Sequence, residues 1–163
     1  MIPGRTRVAD RESGKVAVTY ASDPGRRAPG GSLGTSGGPS SGSARAYDLL
    51  SRAREFLRTG HPHQAAMLLA EAKLIEPDKG SIRETLGRAL YLSGRNARAR
   101  LEFARAVAID PVNDYAHFGL ALSCARTGQR TRAVAHLKLA IAMRPGADEY
   151  REALTRLTRK LAR

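Results

Sequence analysis

Residues 94–111 read GRNARARLEFARAVAIDP, an alanine- and arginine-rich stretch that opens on a glycine and closes on a proline. Taken alone, Arg95, Arg98, Arg100 and Arg105 suggest a helix made for nucleic acid. A shift of 34 residues changes that reading: Gly94, Ala99, Phe103, Ala106 and Pro111 fall on Gly128, Ala133, Leu137, Ala140 and Pro145. In the other direction they fall on Gly60, Ala65, Leu69, Ala72 and Pro77. Three in-register copies without insertions mark a repeat array, and the arginines belong to one of its units.

Each copy carries helical periodicity on both sides of its glycine. Helices are expected over 46–58, 62–75, 80–92, 96–109, 114–126, 130–143 and 148–161. Gly60, Gly94 and Gly128 open the tight turn inside each pair. Pro77, Pro111 and Pro145 end the second helix, because proline has no N–H to continue the ladder and restricts the residue before it. Two antiparallel helices that pack closely need small residues where their axes approach. Ala53, Gly87 and Ala121 meet that need on the first helices, and Ala65, Ala99, Ala133, Ala72, Ala106 and Ala140 on the second. Phe56, Leu90, Cys124, Leu69, Phe103 and Leu137 fill the space between.

The predicted organisation is a disordered, basic Gly/Ser/Pro-rich tail over 1–45 and a domain over 46–163, with repeats at 46–79, 80–113 and 114–147 and a last helix over 148–163. Within the tail, KVAVTYA (Lys15 to Ala21) is an apolar island suited to docking as an extended strand. The chain of 163 residues carries 28 Lys and Arg against 15 Asp and Glu, a net charge of +13, which favours acidic peptides, nucleic acid or anionic lipid as partners. Cys124 is the only cysteine, so no disulfide framework is expected. No apolar run approaches the roughly 20 residues of a membrane span, and the N-terminus lacks a signal-peptide core. A cytoplasmic protein is expected.

The pattern resembles the tetratricopeptide repeat family, whose 34-residue unit has a small residue late in its first helix, two alanines in its second and a terminal proline; the resemblance covers Ala46 to Ala147. It implies an all-α, right-handed solenoid of helical hairpins. The large aromatic usual near the start of the first helix is replaced by Leu49, Arg83 and His117, at the expense of one packing contact. Arg52 and Glu55 stand where later copies have Leu86, Leu120, Ala89 and Ser123, a polar outer face with no expected repeat upstream. Tyr150, Ala153, Leu154, Leu157 and Leu161 form the inward stripe of a capping helix. Asp148 is expected to cap its N-terminus, with Arg159, Lys160 and Arg163 at the negative end of its dipole.

By the same resemblance the first helices line a concave groove that takes extended peptides. The implied groove residues are Tyr47, Leu50, Arg54, Leu57 and Arg58; then Ser81, Glu84, Arg88 and Tyr91; then Tyr115, Phe118, Leu122 and Arg126. Arginines beside tyrosines combine bidentate carboxylate donors with rigid anchors. Family members that hold the acidic C-terminus of chaperones use Lys, Asn and Arg at five places, which here are Leu50, Arg54, Thr85, Tyr115 and Gly119; only Arg54 keeps suitable character, so that clamp is not expected. The arginines of 94–111 fall on the convex side, where Arg98–Glu102 and Glu102–Arg105 are expected to pair at helical spacing.

His61 and His63 sit in a turn without a third ligand, His117 and His136 are isolated on their helices, and Cys124 aligns with core positions. No phosphate loop or carboxylate pair appears, and no metal, cofactor or small-molecule substrate is expected. The resulting expectation is a non-enzymatic adaptor holding an acidic and apolar peptide of another protein. A basic RNA- or ribosome-associated factor, working through its outer arginines and tail, is the alternative.

Overall fold

The computed structural model describes residues 40–159, which form seven helices: α1 (Ser41–Arg58), α2 (Pro62–Ile75), α3 (Gly80–Leu92), α4 (Asn96–Ile109), α5 (Asp114–Arg126), α6 (Arg130–Met143) and α7 (Asp148–Arg159). The expected disordered tail up to residue 39, with its apolar island at Lys15 to Ala21, lies outside the described residues, as do Leu161, Lys160 and Arg163. Helix α1 starts at Ser41 rather than at 46. Ser40 supplies the reason, its hydroxyl accepting the Ser43 N–H at 3.3 Å. Arg45, in the added turn, is ion-paired with Glu71 of α2.

The three hairpin turns are built alike. Gly60, Gly94 and Gly128 have φ of 79°, 77° and 80°, a left-handed conformation that glycine enters without strain. The following N–H then closes back on the first helix, His61 on Phe56 O at 2.7 Å, Arg95 on Leu90 O at 2.8 Å and Gln129 on Cys124 O at 2.8 Å. At the far ends, the N–H groups of Glu76, Asp110 and Arg144 make the last helical bonds to Ala72, Ala106 and Ala140, and the next residue is the proline.

All six second-helix alanines, Ala65, Ala72, Ala99, Ala106, Ala133 and Ala140, are fully buried, together with Ala53, Ala121, Leu69, Phe103 and Leu137. Gly87 and Gly119 face the Phe103 ring from consecutive first helices. Across repeats the odd-numbered helices touch, α1 with α3 and α3 with α5, while each even-numbered helix is wedged between its odd-numbered neighbours. The odd helices therefore form the inner layer and α2, α4 and α6 the outer one.

In the first unit the missing aromatic is replaced by buried Leu49, and in the later units by a polar contact. Arg83 Nε donates to Pro77 O at 2.7 Å, His117 Nε2 donates to Pro111 O at 3.1 Å, and Arg151 donates to Pro145 O. The second unit, the third unit and α7 thus each fasten the carbonyl of the proline that precedes them. On the second helix the positions Leu68, Glu102 and His136 are likewise 34 residues apart: Glu102 bonds Arg83 and His136 faces His117, while Leu49 lies in the core and Leu68 packs against it.

Two sequence expectations need correction here. Glu102 does not pair with Arg98 or Arg105: it turns inward to Lys73 at 2.7 Å and Arg83 at 2.8 Å, where two cations stabilise a largely buried carboxylate better than exposed arginines would. Arg105 reaches across to Asp78 at 2.6 Å instead. Asp148 is the first residue of α7 rather than its cap, and its carboxylate takes Arg151 at 2.5 Å.

Candidate functional site

The inner layer separates the thirteen implied groove residues into open and covered groups. From α1, Tyr47 is 65% exposed and Arg54 is exposed, whereas Leu50 and Leu57 are core side chains. Arg58 is exposed and grips Glu55 at 2.5 Å and 2.9 Å, which raises its own pKa and holds the Glu55 carboxyl below the usual range.

From α3, Ser81, Glu84, Arg88 and Tyr91 are half-buried. The Glu84 carboxylate accepts from Asn113 Nδ2 at 2.7 Å, so the α3 acid is anchored to the next repeat. Asn113 also accepts the Ala116 N–H at 2.9 Å as the cap of α5, and one side chain therefore couples the start of α5 to α3.

From α5, Tyr115 and Leu122 are half-buried and Arg126 is exposed. The Arg126 guanidinium carbon lies 6.0 Å from the centre of the Tyr91 ring, a cation–aromatic contact between consecutive first helices. Phe118 is only 1% exposed. Tyr150 of α7 stacks on it with centroids 4.4 Å apart and planes at 29°.

The Tyr150 hydroxyl donates to Asp114 Oδ2 at 2.8 Å, and Arg144 stands 3.6 Å from the same carboxylate. Burial, reinforced by the neighbouring Asp114, pushes the Tyr150 phenol far above its ordinary value, so it remains a donor. The sequence put Tyr150 on the packing stripe of α7 but gave no sign that Phe118 lies beneath it. The exposed candidates are thus Tyr47, Arg54 and Arg126, while Arg88, Tyr91, Tyr115 and Leu122 are half-buried.

Three of the five chaperone-clamp places are closed by packing as well as by composition, while Arg54 is exposed and Tyr115 half-buried. Leu50 is in the core, the Thr85 hydroxyl donates to Ser81 O at 2.6 Å, and a Cβ at Gly119 would lie 2.3 Å from the Phe103 ring. No long basic side chain fits at 119.

The remaining titratable groups are arranged as follows. His61 Nδ1 lies 3.0 Å from the Thr59 hydroxyl in the first turn. His117 on α5 and His136 on α6 are not isolated, as the sequence suggested, but face each other with Nδ1 atoms 3.1 Å apart. Because a carbonyl only accepts, His117 carries its proton on Nε2 toward Pro111, and in the neutral pair His136 donates from Nδ1. Burial, with His117 and Arg132 nearby, lowers the His136 pKa. Cys124 is buried, and desolvation pushes its thiol up, away from a nucleophile's range. Among the described residues no three His, Cys, Asp or Glu side chains converge on a metal-sized site, and no helix is long and apolar enough to cross a membrane.

Comparison with known proteins agrees with this architecture. The profile of the tetratricopeptide repeat family matches residues 50–114 and 84–148. Among solved structures, the first such domain of Spaghetti (RPAP3) bound to the HSP90 peptide SRMEEVD superposes with a TM-score of 0.71 at 16% identity, covering 74% of this chain and 96% of that one. The Sgt2 domain from Aspergillus fumigatus gives 0.69 at 20% identity, covering 77% and 85%. A mutant O-GlcNAc transferase from Thermobaculum terrenum gives 0.68 at 26% identity, over 72% of this chain but 23% of the enzyme. No curated protein sequence matches the chain. The profile match, the seven-helix inner and outer layering and the three identical glycine turns make this chain a member of the tetratricopeptide repeat family.

Proposed function

We propose that the chain is a non-enzymatic adaptor whose inner face holds a peptide segment of another protein, one bearing carboxylates beside an apolar anchor. Tetratricopeptide repeat domains are protein-interaction modules, and two of the structural neighbours are complexes with acidic chaperone peptides, SRMEEVD from HSP90 and SGPTIEEVD from HSP70. The observation that carries the reading is the Arg126–Tyr91 contact, which presents a cation and an aromatic ring side by side on the inner layer. With exposed Arg54 and Tyr47 it offers charge-assisted donors to carboxylates and a rigid surface to an apolar side chain. The closed clamp places argue for an internal acidic segment rather than the terminal carboxylate of a chaperone tail.

The test is capture of native partners by the full chain and by an Arg54→Glu, Arg126→Glu variant. The reading expects the variant to keep its helical circular dichroism and lose the captured proteins, with Tyr91→Ala costing on the order of 1–3 kcal/mol of binding to any one of them. Unchanged capture by the double variant refutes it.

A further inference from the structure

We propose that the outer face of α4 and α6 rests on an anionic phospholipid surface. Arg98, Leu101 and Arg105 follow one another at helical spacing on the outside of α4, with Leu101 60% exposed. On α6 the corresponding outer stripe carries Arg132 and Leu139, with Lys138 beside them; all three are exposed. Met67, Leu74 and Met143 add exposed apolar side chains on the same layer.

The acids of this layer are consumed. Glu71 is held by Arg45, Glu102 is buried between Lys73 and Arg83, Asp78 takes Arg105, and α6 contains no carboxylate. Arg95, Arg98, Arg130 and Lys138 form no ion pair among the described residues, and Arg132 touches only the Gln129 amide at 3.1 Å. Apart from Arg105, which Asp78 holds, the cations of this face have no ion pair among the described residues, and exposed leucines stand among them.

That combination selects the occupant. A second copy of the chain would bring like charge against like charge. Phosphates of a nucleic acid account for the arginines but leave Leu101 and Leu139 facing water. A peptide's apolar anchor would need a pocket beside these leucines, and both stand exposed on the outer layer. A lipid surface satisfies both features: headgroup phosphates meet the guanidinium groups, and each leucine dips independently into the interfacial region. Attachment would be peripheral, since no described helix can span a bilayer. The inference concerns the layer opposite the peptide-binding face and stands or falls apart from it.

The experiment is co-sedimentation of the full chain with vesicles of equal parts phosphatidylglycerol and phosphatidylcholine, with pure phosphatidylcholine vesicles and labelled poly(U) as parallel arms. Partition is expected onto the anionic vesicles only, weakening as salt is raised. Arg98→Ala with Arg132→Ala should lower it by about 30-fold, and Leu101→Gln with Leu139→Gln by several-fold, with circular dichroism confirming that both remain folded. Absence of partition, or partition indifferent to the arginine pair, overturns the proposal. Binding to poly(U) that needs the arginines and ignores the leucines overturns it in favour of nucleic acid.

Discussion

The Phe103 ring lies so close to Gly119 that a Cβ built there would fall 2.3 Å from its Cε1 and Cζ atoms. Phe103 belongs to the second helix of the middle repeat and Gly119 to the first helix of the next, so their contact sets how closely consecutive units stack. Gly87, on the other side, would bring a Cβ to 2.9 Å. Replacing Gly119 by alanine should therefore cost about 2–3 kcal/mol by overpacking, despite alanine's better helix propensity. Urea denaturation checks it. Adding Phe103→Leu should recover part of the loss, which a mere backbone effect at 119 would not allow.

Ala99 is fully buried in the same region. Ala99→Glu places bulk and an unpaired charge in a close helix contact, and a loss above about 4 kcal/mol is expected, seen as collapse of the helical circular dichroism signal. An unchanged melting curve would contradict the helix-packing register.

Tyr150→Phe keeps the stack on Phe118 but removes the hydroxyl that donates to Asp114. Asp114 is buried, so the expected cost is about 1–3 kcal/mol, measured by thermal or urea unfolding. Tyr150→Ala should cost more, because the ring that covers Phe118 is also lost.

The His117–His136 pair predicts an acid sensitivity. The His136 pKa is lowered in the folded chain, so below its ordinary value near 6.5 the unfolded state binds more protons than the folded one. Its contribution to stability is complete above that pH and declines as pH falls from 6.5 through the lower folded value. The double change His117→Leu, His136→Leu, which copies the Leu49–Leu68 arrangement of the first repeat, should flatten this part of the stability–pH curve.

The repeat was legible because its determinants are local. Gly94 requires a left-handed φ, Pro111 lacks an N–H, and Ala99 fits where larger side chains cannot; each requirement recurs at 34 residues and can be read without coordinates. What escaped the sequence depends on which of several neighbours a side chain chooses. Glu102 had Arg98 and Arg105 within helical reach, yet it went to Lys73 and Arg83, because a largely buried carboxylate is stabilised more by inward cations than by exposed ones. Phe118 had the spacing of a groove residue, but Tyr150 lies over it, a contact set by where α7 docks rather than by any period. Ser40, in a Gly/Ser run that reads as linker, caps α1 through one hydroxyl.

The seam joining the first and second helix of each unit uses the same two register positions but three chemistries: apolar Leu49 and Leu68 in the first, Arg83 with Glu102 in the second, and His117 with His136 in the third. In a linear stack, whose strength is a sum of neighbour terms, such seams act as separately addressable fasteners. Mild acidity acts on the third, while the middle one, largely buried, is screened little by salt and the first carries no charge. Mild acid should thus release the array from the end that carries α7, leaving the opposite end closed.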